Sequence, residues 1–268
     1  MIRNSFLLQF FLMLFPILAM GQGNSFSAQV NTFTIEAPQL HTTKKIWLYL
    51  PKGYEKSKKK YPVIYMHDGQ NLFDKKTSYS GEWQVDEALD SINAQVIIVG
   101  IEHGNEKRID ELTPYPNPKY GGGKADTYLA FIVHTLKPKI DAIYRTKTDL
   151  KNTTIFGSSL GGLVSYYAVL KYPKVFGKAG VFSPSFWFTN DIYTLTENAP
   201  RTNAKIYFLC RDNEDVTTVA DMQKMAQLLH QKPGLDSHLS KEIIIKEGQH
   251  NEKLWRENFL NAFLWLMN

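Results

Sequence analysis

The stretch Thr153-Thr154-Ile155-Phe156-Gly157-Ser158-Ser159-Leu160-Gly161-Gly162 constrains this chain more than any other. β-Branched and aromatic residues up to Phe156 predict a strand, and Leu163-Val164-Ser165-Tyr166-Tyr167-Ala168 opens a helix. Between them lies G-x-S-x-G, with Ser159 at its centre and Gly157 and Gly161 on either side. A strand turning this sharply into a helix brings the two elements too close for side chains at the glycines, and it lifts the serine onto the tip of the turn. The pentapeptide alone recurs by composition; the strand before it and the helix after it make it specific. Ser158 has the wrong offset from the glycines to take the same place.

The rest of the chain repeats the strand-then-helix rhythm. Seven more runs read as strands: Val30–Glu36, Lys45–Leu50, Pro62–Met66, Val96–Ile101, Ala179–Phe182, Lys205–Leu209 and Glu242–Lys246. Helical spacing covers Trp83–Ile92, Ala125–Tyr144, Leu160–Leu170, Val216–His230 and Asn251–Met267, with Pro138 expected to kink or split the second of these. Alternation of this kind predicts an α/β fold: an eight-stranded, mostly parallel sheet with helices on both faces. No repeat or composition shift marks a second domain, so residues 22–268 read as one. Lys56-Ser57-Lys58-Lys59-Lys60 reads as a solvated loop, and Gly104–Lys124, rich in proline and glycine, as a possible lid.

Composition excludes several functions. Hydrophobic residues make up 43% and charged residues 21%, as in ordinary globular chains. The net charge of +5 is not gathered into the basic stripe of a nucleic-acid binder, so no nucleic-acid partner is expected. With Cys210 as the only cysteine, neither an internal disulfide nor a cysteine-based zinc site can form.

Residues 1–21 read as a secretory signal peptide. Arg3 gives a positive start, Phe6–Ala19 is an apolar run, and Ala19-Met20-Gly21 puts small residues at the cleavage positions. The run is too short for a comfortable membrane span. The expected product is exported, periplasmic or secreted, without stable membrane insertion.

A serine hydroxyl needs a base to take its proton. On a sheet of this order the sequence of parts is serine, acid, histidine. His41, His67, His103 and His134 precede Ser159, His230 lies in a helix and His238 in a polar loop. His250, between the last strand and the last helix, has both the order and the loop position. The acid should follow the seventh strand, where Asp212, Glu214 and Asp215 crowd together, and position alone does not choose among them. Two backbone N–H groups would hold an oxyanion: that of Leu160, next to the serine, and that of Gln70, which follows the turn-forming Gly69 after the third strand.

YPVIYMHDGQ, FGSSLGG and EGQHNEKLW together resemble the esterase family of α/β-hydrolases. That family includes enterochelin, feruloyl and acetylxylan esterases, S-formylglutathione hydrolase and mycolyltransferases. The likeness covers residues 28–268. It implies the α/β-hydrolase fold, with Ser159 as nucleophile, His250 as base and Glu214 as the acid, because relatives carry their acid in a turn resembling Cys210–Glu214. The mycolyltransferase turn supports Gln70, and their tryptophan in a similar G-x-W segment matches Gly81-Glu82-Trp83. His67-Asp68-Gly69 departs from the HGGG-type loop of lipases. Trp83, Arg108, Phe186 and Trp187 are candidate substrate contacts, although Phe186 and Trp187 equally fit the core and Arg108 the surface. The expected function is an exported serine esterase acting on a small-molecule or carbohydrate ester, carbohydrate- or siderophore-linked, through an acyl-enzyme and with neither metal nor organic cofactor. An acyltransferase on the same triad and a non-catalytic carbohydrate-binding protein are the alternatives; the natural ester and the oligomeric state stay open.

Overall fold

A computed structural model of the chain describes residues 25–212, 217–231, 237–247 and 249–268. The proposed signal peptide at 1–21, Glu214 and Asp215 lie outside the described residues. The eight strands are β1 Val30–Ala37, β2 Thr42–Tyr49, β3 Val63–His67, β4 Ile97–Ile101, β5 Thr153–Ser158, β6 Lys178–Phe182, β7 Lys205–Arg211 and β8 Ser240–Ile245. They form one sheet in the order β1-β2-β4-β3-β5-β6-β7-β8. Only β2 runs against its neighbours β1 and β4; the other pairings are parallel.

The central strands are near-continuous apolar runs because both their faces are covered. In β3, Val63 and Tyr65 point into one core while Ile64 and Met66 point into the other. In β4, Ile97, Val99 and Ile101 join the first core and Ile98 the second. A one-residue slip would exchange the two sets, so the apolar pattern helps fix register. Helices α3 (Ala125–Phe131), α4 (Lys137–Ile143), α5 (Leu160–Lys171) and α7 (Thr218–His230) supply the first core, among them Tyr128, Ile140, Leu163 and Met222. Helices α1 (Val85–Ser91) and α8 (Glu252–Met267) supply the second through Leu89, Leu254 and Phe259. Fully burying one such side chain contributes about 1.5–3 kcal/mol.

Three local outcomes refine the sequence reading. The helix over 125–144 is interrupted near Pro138 as expected: a π-helical turn, Ile132–Leu136, separates α3 from α4. Proline has no N–H to donate and its ring crowds the preceding turn, which is where the wider turn lies. The stretch 104–124 is folded wall, containing α2 (Arg108–Leu112) and a two-residue ladder between Pro116–Asn117 and Gly121–Gly122. It is pinned by a buried ion pair in which Lys44 Nζ meets Glu111 Oε1 at 2.6 Å. Lastly, α6 (Asp191–Asn198) adds a helix after β6. The lysine run at 56–60 is exposed as expected, Ser57 excepted. No helix among the described residues is long and apolar enough to cross a membrane.

Candidate active site

β5 delivers Ser159 to the tip of a sharp turn. Its backbone has φ 57° and ψ −122°, a conformation that L-residues rarely hold. Three bonds fix it: Ser159 N–H donates to Phe182 O of β6 at 2.9 Å, and Ser159 O accepts from Leu163 N–H at 3.0 Å and Ser185 N–H at 3.1 Å. The glycines are there for space. A Cβ on Gly157 would lie 2.7 Å from the carbonyl carbon of Gly161, and one on Gly161 would press within 3.3 Å of His67 Cβ. Ser159 is half-buried, and its hydroxyl lies 3.2 Å from Ser185 Oγ.

Ser159 opens on a cavity of about 400 Å³ lined by Asp68, Arg108, His103, Trp83, Trp255 and His250, with Asn71 and Glu252 beside them. These residues come mainly from the C-terminal ends of β3, β4 and β5 and from the start of α8, as parallel sheets place their sites. His250 is exposed, just before Asn251, which caps α8 by accepting from Leu254 N–H. Its ring stands edge-on to Trp255 at 5.2 Å, and Trp255 Nε1–H donates to Ser183 Oγ after β6 at 3.2 Å. Leu160 begins α5 and Gln70 is the second residue of the 3-10 turn Gly69–Asn71, positions where backbone N–H groups have no intrahelical acceptor. The Gln70 side-chain amide is buried without a hydrogen-bond partner among the described residues.

Charge in the cavity is concentrated on one wall. Arg108 grips Asp68 through Nε–Oδ1 at 2.7 Å and Nη2–Oδ2 at 2.8 Å. Burial pushes the Asp68 carboxyl up, but the guanidinium's charge and hydrogen bonds outweigh it and hold the group below its ordinary range. Behind them His67 is buried, its Nδ1 2.8 Å from Tyr128 OH and its Nε2 unpartnered among the described residues. Burial lowers this imidazole to about 4, against the pull of Asp68 and with the push of Arg108. Glu252 is raised by burial, and Asn71 Nδ2 donates to it at 3.4 Å.

The other sequence candidates separate. Trp83 lines the cavity but is chiefly core, stacked on Phe182 at 5.8 Å and 15°. Arg108 lies on the cavity wall, tied to Asp68, so it is more than a solvated surface charge. Phe186 is a correction: it is fully buried against Tyr166 and Tyr193, packing the core rather than meeting a ligand. Trp187 is 47% exposed beside Tyr120, outside the cavity lining. Asp212 follows β7, with its N–H on Ile245 O at 3.0 Å and its Oδ1 accepting from Glu247 N–H at 3.2 Å. The turns after β7 and β8 are thus tied together. Asp68, Asn71, His103, Glu252 and Trp255 were missed as site residues; for Asp68, its place beside Gly69 in the turn after β3 was the available signal. Among the described residues one cluster has metal-ligand spacing, Glu82-Asp86-Glu87, and it lies outside the cavity lining.

A family model described as "Putative esterase" matches residues 37–266. An uncharacterized protein, YbbA of Bacillus subtilis, is 28% identical over 242 residues, covering 83% of this chain and 92% of that one. The siderophore triacetylfusarinine C esterase of Aspergillus fumigatus is 28% identical over 137 residues, 48% of this chain and 46% of that protein. The crystal structure of BES protein from Bacillus cereus superposes with a TM-score of 0.73 at 19% identity, covering 92% of this chain and 98% of that one, a likeness of fold.

Proposed function

The chain belongs to the esterase family, with the α/β-hydrolase fold, and we propose that it hydrolyses carboxylic esters by a serine mechanism. The observation that carries this reading is Ser159, held at positive φ on the strand–helix turn and facing the same cavity as His250. In the proposed cycle His250 takes the Ser159 proton as Oγ attacks the ester carbonyl. The N–H groups of Leu160 and Gln70 stabilise the resulting oxyanion; one such donor contributes about 2.7–4 kcal/mol. Collapse expels the alcohol, which receives the proton from His250. Water, deprotonated by the same imidazole, then attacks the acyl-enzyme and releases the acid.

Glu214 is our choice for the carboxylate that orients His250. Asp212 supports the choice indirectly, since its carboxylate already braces Glu247. The substrate class we favour is an ester of a siderophore or a carbohydrate, by analogy with the siderophore esterase relative. The cavity's mixture of Trp83, Trp255 and the Asp68–Arg108 pair suits a polar, ring-bearing ester. Export follows from the signal-like residues 1–21, and a mature N-terminus at Gln22, read by mass spectrometry of the exported fraction, is its test.

Ser159→Ala should abolish both turnover of a small aryl ester and labelling by a fluorophosphonate, with kcat falling by about 10⁶. Undiminished turnover or labelling in that variant overturns the mechanism. An ester library screened against the purified chain then identifies the acyl and alcohol groups preferred.

A further inference from the structure

Trp83 is bracketed by acidic residues that the ester chemistry does not use. One carboxylate oxygen each from Glu82, Asp86 and Glu87 lies within 4.8 Å of the other two. Glu82 is 6% exposed and Asp86 fully buried, yet Glu82 Oε1 and Asp86 Oδ1 have no hydrogen-bond partner among the described residues. Asp74, also buried, adds a fourth negative charge nearby and accepts from the Ser25 hydroxyl. Among the described residues no lysine or arginine forms a salt bridge with Glu82, Asp86 or Glu87. Arg256 comes close, but its Nη1–H donates to the Glu82 backbone carbonyl at 3.1 Å.

Two buried carboxylates with free oxygens, side by side and without an ion-paired cation, are an unfavourable arrangement unless something positive joins them. We propose that Glu82, Asp86 and Glu87 form the site of one divalent cation of the calcium class. The ligand set is all oxygen, which suits a hard cation and not one preferring imidazole or thiolate. Calcium binds oxygens at about 2.3–2.6 Å in flexible geometry, so three carboxylate oxygens within 4.8 Å of one another can share one such ion. Magnesium, at about 2.0–2.1 Å, demands a near-ideal octahedron, a stricter requirement than calcium's. Exposed Glu87 gives the ion a way in from solvent.

The position assigns the ion a role in the scaffold. Asp86 Oδ2 accepts from Ser27 N–H at 2.7 Å, so the ion ties the segment leading into β1 to the start of α1. Trp83 lies between two of the ligating positions and forms part of the cavity wall. The site stands independently of which ester, or whether any ester, is cleaved.

The test uses the full chain, stripped with chelator and returned to chelator-free buffer at pH 7.5. Calorimetric titration with calcium chloride should give one ion per chain. Melting in calcium at about 100 times Kd should rise by roughly 5 °C, with a much smaller response to magnesium. The Glu82→Gln/Asp86→Asn double variant should fold, melt without metal at least as high as the stripped wild type, and show no calcium response. Absence of heat and of a melting shift in the wild type overturns the proposal. So does a calcium response that survives in the double variant. A wild type that gains stability on acidification but not with calcium holds a shared proton there instead, and that also overturns it.

Discussion

Arg108 meets Asp68 through two parallel hydrogen bonds across 40 residues of sequence, and the pair forms one wall of the cavity into which Ser159 opens. Both oxygens of a largely buried carboxylate are satisfied by one planar guanidinium, a geometry lysine cannot reproduce. Asp68 is thereby kept ionised beside the turn that carries Gln70.

Removing the guanidinium leaves that carboxylate without its partner. Arg108→Ala should destabilise the fold by about 1.5–3 kcal/mol at pH 7, read from urea denaturation. Because the pair lowers the folded pKa of Asp68, its contribution is present above the unfolded carboxylate pKa and lost as pH falls through the folded one. The gap between wild type and Arg108→Ala should therefore narrow below about pH 4. A gap that stays constant with pH would remove Asp68 from the explanation.

His67 gives an opposite kind of signal, a buried base that prefers to stay neutral. Its folded pKa is lowered to about 4, whereas the unfolded imidazole titrates near 6.5. Between these values the unfolded chain binds more protons, so this residue's contribution is full above about pH 6.5 and is lost as pH falls toward 4. Comparison with His67→Asn isolates it from other titrating groups. Wild-type stability relative to the variant should drop by roughly 3 kcal/mol between pH 7 and pH 4. Parallel curves would show that His67 does not titrate in this way.

The choice of acid is tested by ranking three conservative changes. Glu214→Gln should lower kcat by on the order of 10⁴. Asp212→Asn should change it far less, since asparagine's carbonyl can still accept from Glu247 N–H, and Asp215→Asn should also be mild. The reverse ranking, measured with a soluble aryl ester, moves the role to whichever residue shows the large loss.

The sheet was legible because its signals are local. All eight strands fall within three residues of where β-branched runs predict them, and Ser159 sits on the turn that G-x-S-x-G requires. β2 begins earlier than read, at Thr42, because its first residues are polar and exposed and are ordered by pairing with β1. α2 and α6 were not legible: five and eight residues with mixed polarity carry little periodic signal. Arg108–Asp68 could not be paired from sequence, because nothing local says that α2 packs against the end of β3. Phe186 and Trp187 are adjacent and aromatic, so only the direction of each side chain, set by the 3-10 turn at 186–188, separates core from surface.

The bond from Ser159 N–H to the Phe182 carbonyl has a consequence for when the chain becomes reactive. The carbonyl belongs to β6, which follows β5 in the sequence and docks beside it only once the crossover through α5 is complete. Until then two of the three bonds that hold Ser159 at its positive φ, those with Phe182 and Ser185, are missing, and only the one from Leu163 N–H within α5 opposes relaxation toward ordinary backbone. A chain emerging from synthesis therefore contains the serine but not the posture on which the proposed mechanism depends. Reactivity toward an ester-like probe becomes a clock for closure of the central sheet, and it should lag behind the appearance of helical signal during refolding.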